Sequence, residues 1–258
     1  MIPIIVSTIL EKDEPESFEK EMGKPLLFFA LENAISSKSN NVTIVGNKFF
    51  PQVISQRIKT EFPQIPIYIK KNATHMDASF EYAYQKNLKN FILLECKELF
   101  INQNIINSFI DFIQKNGARH DGISCIAHAR IKEIATPECI KVVLNSNKEL
   151  IYLSRFPTPY TSDPNQCNFI KLLGMSYFNR EGIKKYISNK KCELEEREKI
   201  SLLRFINFKE AISTFFVEKE FPCFYENDKQ SVFDLSDFLC QERAKEGKIP
   251  KPPRLTFF

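Results

Sequence analysis

An α/β fold with a mostly parallel central sheet flanked by helices is what this sequence predicts, and three observations carry it. Short apolar runs alternate with stretches of helical periodicity over the first half of the chain, the mark of successive βαβ units. One of those runs, NFILLE, is apolar almost throughout, as a strand covered on both faces must be. The 258 residues are 43% hydrophobic and 26% charged, enough to bury one large core.

The elements follow in order. Residues 2–7 read as a first strand. GKPLLFFALENAISS then sets Leu27, Leu31 and Ala34 at helical spacing, with Pro25 expected in the first turn, where its missing N–H costs nothing. NNVTIVG is a second strand and residues 50–62 a helix. IPIYI is a third strand, which its prolines place at an edge or a strand start. A helix around residues 77–85, with Asp77 as its expected N-cap, leads into NFILLE. NIINSFIDFIQ is an amphipathic helix ending at Gly117, and GISCIAHARI is another strand. Beyond it CIKVVLNSNKELIYLSR reads as a hairpin turning at residues 145–148. FIKLLGMSYF is a strand, residues 180–187 and 193–207 are helices, AISTFFVEKEF is a late strand and residues 234–244 a last helix. Residues 1–243 are thus expected to form one domain with a hairpin lobe at about 140–190. Residues 244–258 are expected to form an extended, basic, Pro-rich tail.

Composition narrows the function classes. Seven scattered cysteines (Cys96, Cys125, Cys139, Cys167, Cys192, Cys223, Cys240) form no C-x-x-C pair and read as reduced thiols, which argues for a cytoplasmic protein. His75, His120 and His128 lack zinc-ligand spacing. A net charge of +4, part of it in the tail, argues against a nucleic-acid partner. No apolar stretch reaches the roughly 18 residues of a membrane span. The opening residues, apolar and then acidic, read as a strand and not as a signal peptide.

Three stretches together resemble one family. They are GKPLLFFALENA, KVVLNSNKELIYLSRFPTPY, and the series LLGMSYFNREGIKKYI, residues 194–204 and VFDLSDFL. The resemblance is to 3-deoxy-manno-octulosonate cytidylyltransferases, and it runs to about residue 243, with SRFPTPY after KVVL its most specific part. It implies a nucleotide-diphospho-sugar-transferase-like fold and a homodimer built on the hairpin lobe. It also implies CTP or CMP and a sugar acid as ligands, Mg²⁺ as cofactor of an active member, and a place in lipopolysaccharide assembly.

Matched motif by motif, the resemblance also implies degradation. Against I-P-A-R-x-x-S-T-R-L-P-G-K, Ser7 and Thr8 match, while the two arginines fall at Ile5 and Ile9. The loop instead carries Glu11, Asp13, Glu14, Glu16, Glu19 and Glu21, charges that repel a triphosphate. Lys24 stands in GKPL. Against H-P-S-G-T-D-R, His75 remains and Ser79 replaces Thr, but the acidic–basic pair becomes Phe80 and Glu81. Against Q-G-D-E-P the chain has Glu95, Cys96, Lys97, Glu98 and Leu99, so an ammonium stands where the family has a metal-binding carboxylate. Glu98 either keeps a ligand role or pairs locally with Lys97. Against V-D-T-P-E-D-L, Asp234 persists, either as a metal ligand or as the N-cap of the last helix.

On the sugar side, Arg155 of SRFPTPY is either a bidentate clamp for a sugar carboxylate or a brace for the hairpin. Glu198 and Arg204 match the late helix, whereas Ser201, Leu202 and Leu172 replace polar residues of the family. The expected substrate-binding set is therefore Ser7, Lys24, His75, Glu98, Arg155 and Glu198, with Lys97 and Asp234 converging at an altered metal site. Asp234 would be the sole ligand if any metal bound. The leading expectation is a family member without normal CTP- and Mg²⁺-dependent turnover and with no cofactor. The alternatives are an active cytidylyltransferase, which would need Mg²⁺, and another transferase on a related fold.

Overall fold

The computed structural model describes residues 1–8, 23–39, 41–47, 50–71, 73–162 and 168–218. Asp234, the motif around it, the acidic loop after Thr8 and the Pro-rich tail lie outside the described residues, so the expected contact between Lys97 and Asp234 does too.

Among the described residues the strands form one sheet. Four parallel strands come first: β1 (Ile4–Ser7), β2 (Val42–Asn47), β3 (Ile67–Lys70) and β4 (Asn90–Glu95). β8 (Ile170–Asn179) inserts antiparallel between β4 and β5 (Gly122–His128), and β9 (Ile212–Phe216) lies parallel to β5. The order is β3-β2-β1-β4-β8-β5-β9, so IPIYI does occupy an edge. The hairpin of β6 (Lys141–Leu144) and β7 (Leu150–Ser154) attaches to β8 through β6.

Alternation along the strands sorts the core into two layers. Ile4, Val6, Ile92 and Leu94 pack with helices α1 (Leu26–Ile35) and α4 (Gln103–Asn116) on one face. Ile5, Leu93 and Phe91 pack on the other with α3 (His75–Gln85), α5 (Arg180–Ser188) and α7 (Leu203–Asn207). Helix α2 (Gln52–Glu61) adds Ile54 and Ile58 to the first layer. The second layer centres on Phe80, stacked on Tyr186 at 3.8 Å and in edge contact with Phe91 and Phe178.

Local chemistry sets the element ends. The Asn102 side chain accepts from the Ile105 N–H at 3.1 Å and starts α4. In the hairpin turn the Asn145 side-chain oxygen accepts from the N–H groups of Asn147 and Glu149, and Lys148 adopts φ 63°. This Asx turn is why the polar residues 145–148 reverse the chain.

Three expectations need correction. Thr74, not Asp77, caps α3: its backbone is extended and its hydroxyl accepts from the Asp77 N–H at 3.1 Å, which moves the start to His75. Pro25 precedes α1 as its N-cap and is not in the first turn. The expected helix at 193–207 is two, α6 (Glu193–Glu198) and α7, broken at Lys199, whose φ of 55° no helix accommodates. The break lets Ile200 and Leu202 turn into the second layer.

Candidate functional site

In open α/β sheets the crevice outside the carboxyl ends of the strands, where strand order reverses, is the natural ligand position. Here β1 has β2 on one side and β4 on the other, so the reversal falls at the ends of β1 and β4. The residues there are Ser7 at the end of β1 with Thr8 after it, and Glu95 at the end of β4 with Cys96 to Glu98 after it.

The hydroxyls of Ser7 and Thr8 are buried with no hydrogen-bond partner among the described residues, an arrangement uncommon for buried polar atoms. Ser7 registers with Glu95 across the parallel pair, which puts both side chains on the same face. That is the face of α3. His75, the first residue of α3, brings its Nε2 to 3.5 Å from the Glu95 carboxylate.

After β4 the chain turns sharply, with the Glu98 N–H bonded to the Glu95 carbonyl at 3.1 Å. The turn lays Glu98 back beside Glu95. Gly174 on β8 makes the room: a Cβ there would stand 2.7 Å from the Glu98 Cγ and 2.8 Å from the Glu95 Cβ. The Gly174 N–H also donates to the Glu98 carboxyl at 2.8 Å.

The two carboxyls titrate apart. Burial and the Glu95 charge push Glu98 up to about 7, against the opposing pull of the Gly174 N–H, Lys171 and Lys97. Burial also acts to raise Glu95, but His75, Lys97 and Arg155 outweigh it and hold this carboxyl below its ordinary range. Neighbouring acids driven in opposite directions are a frequent feature of sites that move protons.

Arg155, just after β7, is braced. Its Nε donates to the Glu198 carbonyl at 2.7 Å, Nη1 to the Pro137 carbonyl at 2.9 Å and Nη2 to the Lys199 carbonyl at 3.4 Å. Two of its five N–H donors have no hydrogen bond within the described residues. The charge that acts on Glu95 includes that of Arg155, so the brace and the crevice are neighbours. Glu198 faces the hairpin, accepting from Tyr152, Ser154 and the Arg155 N–H at 2.9–3.1 Å.

Of the residues expected from the sequence, Ser7, His75, Lys97 and Glu98 gather at the strand ends with Arg155 alongside. Among the described residues Lys24 makes no contact with them: it pairs with Glu32 and lies 4.2 Å over the Phe29 ring. Glu198 acts on the hairpin and not on the carboxylate pair. Ser79 bonds back to the His75 carbonyl at 2.8 Å, Phe80 is core, and Glu81 pairs with Lys70 at 2.7 Å. Glu95 and Gly174 were not among the expected site residues. Glu95 had a signal, a carboxylate ending an apolar strand; Gly174 had none short of the register of β8.

Among the described residues no group of three or more His, Cys, Asp or Glu side chains could hold a metal ion. The Lys97 ammonium adds a positive charge beside Glu95 and Glu98. Among the described residues Cys96, Cys125, Cys139 and Cys192 form no disulfide, and no helix is long and apolar enough to cross a membrane.

Comparison with known proteins gives a consistent picture. The curated relatives are 3-deoxy-manno-octulosonate cytidylyltransferases. The one from Escherichia coli is 29% identical over 101 residues, 39% of this chain and 41% of that protein. The one from Christiangramia forsetii is 22% identical over 193 residues, 72% of this chain and 75% of that protein. The match with the first thus spans well under half of the relative's length. Among solved structures, CMP:2-keto-3-deoxy-manno-octonic acid synthetase complexed with CTP superposes with a TM-score of 0.75 at 18% identity, covering 93% of this chain and 98% of that one. Apo UDP-glucose pyrophosphorylase superposes at 0.62 with 11% identity, covering 94% and 100%. At these identities the two structures speak for the fold, a nucleotide-diphospho-sugar transferase architecture. The profile that describes cytidylyltransferases matches residues 18–245, most of the sequence, and the chain belongs to that family.

Proposed function

We propose that this protein binds a sugar acid, and a cytidine nucleotide, at the ends of β1 and β4 without the usual CTP- and Mg²⁺-dependent transfer, and that it does so as a homodimer joined at the hairpin lobe. One observation carries the reading. Lys97 sits in the turn after β4 with its charge acting on both Glu95 and Glu98, at the position where the resembled enzymes hold a metal-binding carboxylate. An ammonium offers no lone pair to a metal and opposes its approach. Ile5 supports the same reading: it is fully buried in the second core layer, where the resemblance places a phosphate-binding arginine. Arg155, with two N–H donors left over among the described residues, is the group for the acid's carboxylate. Acting in lipopolysaccharide assembly belongs to this proposal and rests on the family resemblance.

A second reading, an active cytidylyltransferase of variant mechanism, is favoured by Glu98. A carboxyl poised near 7 can take a proton from an attacking hydroxyl at neutral pH.

Thermal shift tests the binding. A ligand that binds only the folded chain raises stability by about 2.7 kcal/mol at a hundred times its Kd. 3-Deoxy-manno-octulosonate and CMP should each raise Tm, and Arg155→Ala should abolish the shift with the acid and keep that with CMP, each variant against its own baseline. No shift with either ligand would overturn the proposal.

A further inference from the structure

Lys141 opens β6 and is fully buried. An ammonium in such a place is costly unless its protons are taken up. Here Nζ donates to the carbonyls of Thr136 at 2.9 Å, Cys139 at 2.7 Å and Arg155 at 2.6 Å, as many acceptors as it has protons. An apolar residue would fill this strand position at lower cost, so the gathering of carbonyls is what the lysine adds.

The carbonyls belong to two segments that Arg155 also joins. Arg155 Nη1 donates to the Pro137 carbonyl, between the two that Lys141 holds in the same loop. The backbone of Arg155 is pinned on both sides, its N–H by the Glu198 carboxylate at 2.9 Å and its carbonyl by Lys141. Lys141 thereby fixes the base from which the guanidinium extends and the loop on which it rests.

We propose that Lys141 is a positioning residue for Arg155: its buried ammonium locks residues 136–139 and the Arg155 carbonyl together, and so sets the guanidinium for a carboxylate-bearing ligand. The ligand part rests on the reading of Arg155 given above; the locking part stands on the geometry alone.

The test separates the two. The bond after Arg155 is a trypsin site whose carbonyl Lys141 holds, so native-state proteolysis followed by mass spectrometry reads the lock without any ligand. Lys141→Met should keep the native far-UV spectrum and CMP affinity, and be cut between Arg155 and Phe156 at least tenfold faster than the parent. Its Kd for 3-deoxy-manno-octulosonate, by calorimetry, should rise at least tenfold, and the double variant with Arg155→Ala should bind the acid no more weakly than Arg155→Ala alone. Lys141→Gln, which retains two donors, should fall between, and carries the test if the Met variant does not fold. A Lys141→Met protein as resistant to trypsin as the parent overturns the lock. Losses that add in the double variant overturn the positioning role. Failure of the parent to bind the acid would fall on the proposed function, and the cleavage rate would still decide on Lys141.

Discussion

Glu98 is where the chemistry of the site is most exposed to measurement. Its carboxyl moves from an ordinary 4.5 to about 7, chiefly through burial and the Glu95 charge. A folded state that holds its proton more tightly than the unfolded chain has a stability contribution fully present below about 4.5 and lost as pH rises through about 7. The shift corresponds to about 3 kcal/mol. Glu98→Gln keeps an acceptor for the Gly174 N–H and removes the titration. The variant should therefore be more stable than the parent at pH 8 and closely matched at pH 4.5, as urea melts at the two values would report. A parent with no fall in stability over that range would contradict the arrangement. Glu95 and Gly174 escaped the sequence reading for a physical reason: what makes them a site is the packing of β8 against the turn after β4, a pairing between residues some 80 positions apart in the chain.

At the scale of elements, α3 depends on a network that holds its first turn. Asp77 bonds to Arg204 at 2.9 Å, to Lys191 at 2.8 Å and to the Tyr186 hydroxyl at 2.8 Å, and Arg204 is bound to Glu195 as well. Burial acts to raise the Asp77 carboxyl, but Lys191, Tyr186, Thr74 and Arg204 together bring it to about 2. Its contribution is thus present above its ordinary 3.8 and lost as pH falls through about 2. Removing Asp77 leaves Arg204 held by Glu195 and Lys191 open to water, but takes the acceptor from the buried Tyr186 hydroxyl, so Asp77→Ala should cost about 2 kcal/mol at pH 7. Because His75 stands two residues earlier, the same change should loosen its contact with Glu95. Thermal unfolding at neutral pH checks the cost, and an unchanged Tm would show that α3 is held by its apolar face alone. The helices themselves were legible, since α4 and α5 show clear apolar stripes and an Asn at each start. The division of α6 from α7 was not. Nothing in EREKISLLRF marks Lys199 as left-handed; burying Ile200 and Leu202 in the second layer is what turns the chain there.

For the whole molecule, the class of fold was readable from alternation, but the strand order was not. A run such as FIKLLGMSYF declares itself a strand; that it slips antiparallel between β4 and β5 is decided by tertiary pairing. The hairpin lobe exposes Ile151, Phe156 and Tyr160, at 48%, 77% and 91%. Apolar groups gathered on one lobe are a common mark of a contact surface. Light scattering at micromolar concentration should give about twice the 30.1 kDa chain mass, and a monomer would remove the dimer from the proposal. The central claim is binding without turnover, and pyrophosphate release tests it most directly. With CTP, 3-deoxy-manno-octulosonate and Mg²⁺, the purified protein should release pyrophosphate no faster than buffer. Steady release that Asp234→Ala abolishes would contradict the account and establish an active cytidylyltransferase.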